Sequence, residues 1–437
     1  MNRQILRLAI PNIISNVTIP LLGMIDLAIA GRIGNDTVIG AVALGGSIIG
    51  FIYWNFAFIR MGTSGLTAQA YGAGDKKECA NLLGRSVAVA VVIAFLLLLF
   101  QGPLGRFSLL IMKGSTEATA FAKEYFYARI WAAPAAIGMF ALHGWLIGMQ
   151  DSTTPMVVSI INNLINIGCS VWFVFGFHWG VAGIAWGTVA AQYSALLITL
   201  VFILWRYRDY VKLFELREII KLKPLTRFFR VNTDAFLRTL FINAAYTFFT
   251  AVSARYGDTM LATNELLMQL FLVYSYLSDG FNYAAESLTG RFVGARDASS
   301  LRKAVKALMW WCAAVAALYV VAYVGWWRPI LGFFSQSPTI LACAKNYVLW
   351  VVMVPVLGFV PFLMDGILIG ATKTRIMRNT TFGALVVYLS VYLMLSRPLG
   401  NTGLWIAFLS FIVARGVFMI IATDKLNIKL LMNTDHV

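Results

Sequence analysis

The stretch GMIDLAIAGRIG carries a carboxylate, Asp26, in a run from Leu8 to Ala30 that is otherwise almost wholly apolar or small. A run of that length spans a bilayer, which takes about 20 residues. An aspartate at the centre of such a helix costs about 2.5–3.5 kcal/mol on insertion scales. Its natural chemistry there is exchange. Desolvation favours the neutral form of a carboxyl group and a nearby cation favours the ionised form, so one buried acid holds a proton or a cation, but not both. Asn12, Ser15, Asn16, Gly23 and Asp26 fall near one face of the first helix. Ser159, Asn162, Asn163, Asn166 and Ser170 do the same on the fifth, at separations close to multiples of the helical turn. Polar stripes in membrane helices face other helices or water. Hydrogen bonding between helices accounts for most of these Asn and Ser residues and poorly for the acid. Pro11 and Pro20 precede Asp26 in the same helix, and proline removes a backbone hydrogen bond and kinks a helix. They serve as a hinge or as static kinks.

These residues must be carried by membrane helices. The chain has 437 residues, 60% hydrophobic and 12% charged, with a mean hydropathy of +0.77, against about 25% charged in soluble domains. The pattern predicts an all-α polytopic membrane protein with twelve transmembrane helices. A β-barrel would need segments of about ten residues in strict alternation. Ala28-Ile-Ala30 resembles a signal-peptidase site, but the apolar region before it is too long, and the first span is expected to be retained. With the N-terminus inside, 23 of the 35 Lys and Arg lie on the cytoplasmic side, eight outside (Lys113 among them) and four within helices. That asymmetry follows the positive-inside rule, placing both termini in the cytoplasm and the chain in the plasma (inner) membrane. The net charge of +16 is therefore topology, and nucleic acid is not an expected partner. Four dispersed cysteines form no CxxC pair, so neither a metal site nor a disulfide framework follows. No HExxH, GxSxG or Walker-type loop is present, so no enzyme and no cofactor are expected.

The halves repeat. LTAQAYGAGD (66–75) aligns with LTGRFVGARD (288–297), and HGWLIGMQDSTTPM (143–156) with DGILIGATKTRIMR (365–378), both at an offset of 222 (288 − 66; 365 − 143). Each unit holds six spans, so the repeats run parallel and the chain should form two six-helix bundles with the substrate path at their interface. The expected lobes are 1–205 and 228–437, joined by a cytoplasmic basic linker, 206–227, lying on anionic headgroups. At the offset of 223 set by Gly34 and Gly257, the counterpart of Asp26 is Phe249. One lobe thus has an acid that the other lacks. The eighth helix carries a second stripe: Asn264, Met268, Ser275, Asp279, Asn282 and Glu286. Asp365 stands where the first repeat has His143. Glu286 and Asp365 fall near the cytoplasmic ends of their spans, where Arg291 or Arg375 are partners as reasonable as a substrate. Asp279 lies deeper and is the second functional candidate.

LAIP (8–11), IDLAIAGRIG (25–34), GLTAQAYGAGD (65–75), GVAGIAWGT (180–188) and DGILIGATKTRIMRN (365–379) together resemble the multidrug and toxic compound extrusion (MATE) transporters, specifically the DinF-like branch. The resemblance implies a V-shaped, two-lobed monomeric antiporter. It would export small organic, often cationic, molecules in exchange for protons or sodium. It also implies that the N-lobe site of the family falls on Asp26, Asn166 and Thr188, and that bending of the first helix at Pro11 and Pro20 accompanies protonation. The second acid of that site, four residues after the Asn, is Ser170 here. With one carboxylate left, a proton is the expected coupling ion and sodium the weaker alternative. A lipid-linked precursor flippase of the wider superfamily is the other reading, supported by Arg60, Arg129, Arg238 and Arg415 within spans.

Overall fold

A computed structural model describes residues 1–33, 36–111, 116–219, 221–334, 337–424 and 427–432; Lys113, expected outside the cell, falls beyond them. The described residues form helices joined by short turns, with no strand among them. The spans are α1 (Asn2–Ile33), α2 (Thr37–Gly72), α3 (Lys76–Leu99), α4 (Thr116–Gly148), α5 (Thr153–Gly176), α6 (Gly180–Arg206), α7 (Leu222–Arg255), α8 (Asp258–Gly294), α9 (Ala298–Phe334), α10 (Val348–Gly370) and the run Thr374–Ala422. That last run is 49 residues long and breaks at Gly400 (φ 51°, ψ −126°), giving α11 (374–399) and α12 (401–422). Twelve spans result among the described residues. α8 crosses despite Glu265, Asp279 and Glu286, because it is 37 residues long and buries Asn264, Asn282 and Glu286 in its own unit.

By contacts the chain divides into one unit of Ile14–Phe228 and another of Met1–Ile13 with Phe229–Val437. The division departs from the expected lobes in two places. Residues 1–13 join the second unit because Ile5, Leu8 and Ala9 are buried there, and the carbonyl of Ala9 and the side chain of Ile13 press against Gly280 of α8. The described part of the linker up to Ile219 packs on α3. Phe214 and Ile219 cover Gly84 of α3, the amide of Glu215 donates to Asn81 (3.4 Å) and Arg85 donates to the carbonyl of Glu218 (3.2 Å).

The repeat is built into the backbone. In the first unit, Gly144 lets α4 close on α2, where a Cβ would lie 2.5 Å from the carbonyl oxygen of Arg60; Gly148 abuts Ser64 and Thr67. In the second, Gly366 abuts Asn282, and Gly370 abuts Glu286 and Thr289. Every member of the second set is 222 residues on. The left-handed positions recur as well: Gly74 with Arg296, Gln150 with Thr372, and Gly180 with Gly400. So do the helix caps. Asp75 accepts from the amide of Glu78 (2.8 Å) and Asp297 from that of Ser300 (2.9 Å), each satisfying a donor that a helix start leaves open.

Candidate functional site

One face of the last turns of α1 is buried by apolar side chains from four helices. Ile29 and Ala30 join Val38 and Val42 of α2, Tyr125 and Ala128 of α4, Val174 of α5, and Val181, Ile184 and Ala185 of α6. This packing leaves Asp26 7% exposed. Its Oδ1 has no hydrogen-bond partner among the described residues. The charge that acts on it is Arg129 of α4. Arg129 is itself fixed: Nη1 donates to Gln192 (3.1 Å), and its guanidinium lies 6.0 Å from the Tyr53 ring, whose hydroxyl donates to the Arg129 carbonyl (3.2 Å). Tyr125 is within electrostatic reach of both Asp26 and Arg129.

The expected polar partners converge on the facing helices. Asn166, fully buried, donates to the Thr188 hydroxyl at 2.9 Å, and that hydroxyl donates to the Ile184 carbonyl at 3.1 Å. Ser170 also donates to the Ile184 carbonyl (3.5 Å). Gly187 makes this approach possible, because a Cβ there would collide with Ser170. Asn163 donates to the carbonyl of Thr18 (3.1 Å), which ties α5 to α1 about two turns before Asp26. No hydrogen bond joins Asp26 to Asn166, Ser170 or Thr188 among the described residues, and Asn166 Oδ1 is likewise unmatched. The first unit thus holds one buried carboxylate with open acceptor capacity and, on α5 and α6, a hydrogen-bonded Asn–Thr pair. α1 runs helical through a half-buried Pro11 and an exposed Pro20. No cluster of His, Cys, Asp or Glu among the described residues has the makings of a metal site.

The acids of the second unit have different surroundings. Asp365 is fully buried, and its Oδ2 accepts from both Arg238 of α7 and Arg415 of α12, the latter at 2.6 Å. Arg291 and Arg375 are not its partners. α10 sinks Asp365 into the bundle, because Gly366 beside it lets α10 press onto α8. Asp279 is half-buried and within electrostatic reach of Arg238. Glu286 is fully buried. Asp234 pairs with Arg378 (2.5 Å) and Thr374 (3.3 Å). Sequence reading did not find the Arg129–Gln192–Tyr53 group or the two arginines on Asp365. The available signal was the arginines within spans, since a buried guanidinium requires a partner.

Two repeated six-helix units, each with an acid buried inside its bundle, are the architecture of duplicated membrane transporters. The MatE family model matches residues 11–172 and 235–394, once in each half. The chain belongs to the MATE family of transporters. It is 33% identical over 429 residues to the DNA damage-inducible protein F of Escherichia coli (strain K12), covering 95% of this chain and 90% of that one. It is 24% identical over 434 residues to the probable multidrug resistance protein NorM of Bradyrhizobium diazoefficiens, covering 93% and 89%. A solved structure described as MATE in the bent conformation superposes with a TM-score of 0.86 at 20% identity, over 98% of this chain and 96% of that one.

Proposed function

We propose that this chain is a secondary antiporter exporting amphipathic organic cations in exchange for protons, with Asp26 as the group that alternates between the two. The observation that carries the reading is the carboxylate itself: Asp26 is buried in the membrane part of the first unit with Oδ1 unmatched among the described residues. A buried acid without a committed partner is costly, and a mechanism that protonates and deprotonates it gives that cost a use. Asn166 and Thr188 are the polar groups assigned to serve it, Asn166 Oδ1 being unmatched among the described residues. Pro11 and Pro20 allow α1 to bend as the charge changes. Ser170 in place of a second acid favours the proton over sodium, since a cation cage with one carboxylate is weak. Multidrug efflux fits the name of the NorM relative, and the positive-inside count favours cytoplasmic termini in the inner membrane. The flippase reading requires free cations for a diphosphate. Arg238 and Arg415 are engaged by Asp365, and Arg129 by Gln192.

The test is counterflow in proteoliposomes, with proton and sodium gradients imposed separately. Uphill export of a lipophilic cation should follow the proton gradient and ignore sodium at fixed pH. Export driven by a sodium gradient alone would overturn the coupling assignment.

A further inference from the structure

The basic ends of α3 and α9 are repeat-equivalent, and only one of them is covered. On α3, the segment after α6 docks an apolar plug, Phe214 and Ile219, over Gly84. An acid comes with it, Glu215, held by Lys77 at 3.0 Å. On α9 the corresponding turns carry Arg302, Lys303 and Lys306, with Lys306 standing where α3 has Gly84 (84 + 222). All three are exposed, and none makes an ion pair within 4.0 Å among the described residues. Trp310, one turn further along, is 70% exposed.

Two grooves flank this pair. One, of about 580 Å³, runs between α9, Phe359 of α10 and the chain end at Asn427 and Ile428, and includes Arg302, Lys306 and Trp310. The other, of about 550 Å³, lies on the side of Asn2 and Trp311 and again includes Lys306 and Trp310, with Lys303. No acidic side chain among the described residues lines either groove. Two acids lie at their margins: Asp297, which acts on Lys303 electrostatically and accepts from the Ser300 amide, and Asp424, which accepts from Asn427 at 3.2 Å. Neither pairs with Arg302 or Lys306 within 4.0 Å among the described residues. The charge left uncompensated rests on Arg302 and Lys306. The first unit shows what complements such an end: an apolar body with an anion attached.

We propose that the grooves on either side of Trp310 hold one anionic phospholipid. Its phosphate sits on Lys306 and Arg302, and its two acyl chains run along opposite sides of the indole. The shared Lys306 and Trp310 account for a single headgroup with two tails. A basic span end with an aromatic residue one turn inward matches the headgroup level of a bilayer.

The experiment uses full-length protein in detergent, with bound lipid counted by native mass spectrometry as dioleoylphosphatidylglycerol or dioleoylphosphatidylcholine is added. Wild type should retain phosphatidylglycerol selectively. The Arg302→Gln/Lys306→Gln variant should bind it roughly ten- to thirtyfold more weakly, as expected for two lost charges at a lipid surface. Trp310→Ala should also weaken it, while Arg375→Gln, a basic residue outside the grooves, should bind as wild type does. Proton-driven counterflow in neutral liposomes confirms that each variant is folded. Equal binding of both lipids, or unchanged binding by the double variant, overturns the proposal. Displacement by inorganic phosphate alone would make this an ion site instead, and also overturns it. Selective binding that appears only when residues 433–437 are removed assigns the grooves to the chain's own end, and overturns it too.

Discussion

The two units share a scaffold and differ in what fills it. Gly144 and Gly148 in one, and Gly366 and Gly370 in the other, bring the same pair of helices together. The left-handed turns at Gly180 and Gly400 set up the last two spans of each. At the same offsets the side chains of the candidate site change character completely. Asp26, Asn166, Ser170 and Thr188 correspond to Phe249, Tyr388, Tyr392 and Phe408 (offsets 223, 222, 222 and 220). In the second unit these are rings in contact: Phe249 lies 5.2 Å from Phe408, and Phe408 lies 6.3 Å from Tyr388. They belong to a large apolar core. The position that holds a polar cluster in one unit is thus packed shut in the other. A charge there is no requirement of the fold.

The largest effect expected from breaking this asymmetry is on transport. Asp26→Asn keeps size and hydrogen bonding but cannot exchange a proton, so coupled export should fall to background while the protein still folds. Removing a costly buried ionisable group should leave thermal stability equal or higher. Phe249→Asn is the mirror control. It should loosen an aromatic core and lower stability by about 3–5 kcal/mol, the usual cost of losing a large buried ring, while leaving proton coupling in place. Export and proton release, measured together in liposomes, separate the two. Full proton-coupled export by folded Asp26→Asn protein would remove Asp26 from the mechanism and make Asp279 the next candidate.

The second contrast is between His143 and Asp365, which occupy one repeat position (143 + 222). Asp365 joins α7, α10 and α12 through two guanidiniums. Asp365→Ala leaves both buried and unpaired, and should cost about 3–5 kcal/mol, read as a lowered thermal midpoint in detergent. The triple change Arg238→Met, Asp365→Leu, Arg415→Met removes the charges together and should recover most of that loss. If the triple variant is as stable as wild type but inactive, the ion group has a role in transport as well as in packing.

Much of this contrast was legible in the sequence, because the repeat made Asp26 and Phe249 comparable and helical periodicity put Asn166 and Ser170 on one face. The Asn166–Thr188 bond spans only 22 residues between adjacent helices. The partners of Asp365 were not legible, being 127 and 50 residues away: periodicity gives the face of a helix, not its neighbour. The fate of residues 1–13 was hidden for a related reason. α1 is one unbroken helix, and nothing in its pattern marks that its first turns pack with the other half. The docking of the linker up to Ile219 depends on an absent side chain at Gly84, which reads as an ordinary small residue of a membrane helix.

The glycine contacts sharpen the comparison next. Gly144→Leu and Gly366→Leu push bulk into backbone at repeat-equivalent crossings, so each should destabilise its own unit by about 1–3 kcal/mol, as overpacking does. The Asn282 carbonyl stands closer to a Cβ at Gly366 than the Arg60 carbonyl does at Gly144, and Asn282 Oδ1 adds to the crowding, so a rotamer change alone does not relieve the second unit. Gly366→Leu should therefore be the more damaging. Thermal midpoints of the two variants decide it, and the reverse order would show that the α8 backbone yields more readily than that of α2.

The smallest effect concerns the caps. Asp75 and Asp297 hold equivalent helix starts with nearly equal bonds, 2.8 and 2.9 Å. Asp297→Ala should therefore lower the thermal midpoint less than the Phe249, Asp365 and glycine changes above, and by about as much as Asp75→Ala. The Ser300 hydroxyl and amide hold the Asp297 carboxyl below its ordinary value of 3.8. A depressed value means that the ionised form is favoured by folding. The stabilisation is complete above the unfolded value and disappears as the pH falls through the folded one. The difference in midpoint between wild type and Asp297→Ala should then be constant from neutral pH to about pH 5 and shrink below pH 4. Asp297→Asn retains a capping oxygen and should show a smaller difference than Asp297→Ala at neutral pH. A penalty for Asp297→Ala that is undiminished in acid would mean that the residue acts through packing and not through its charge.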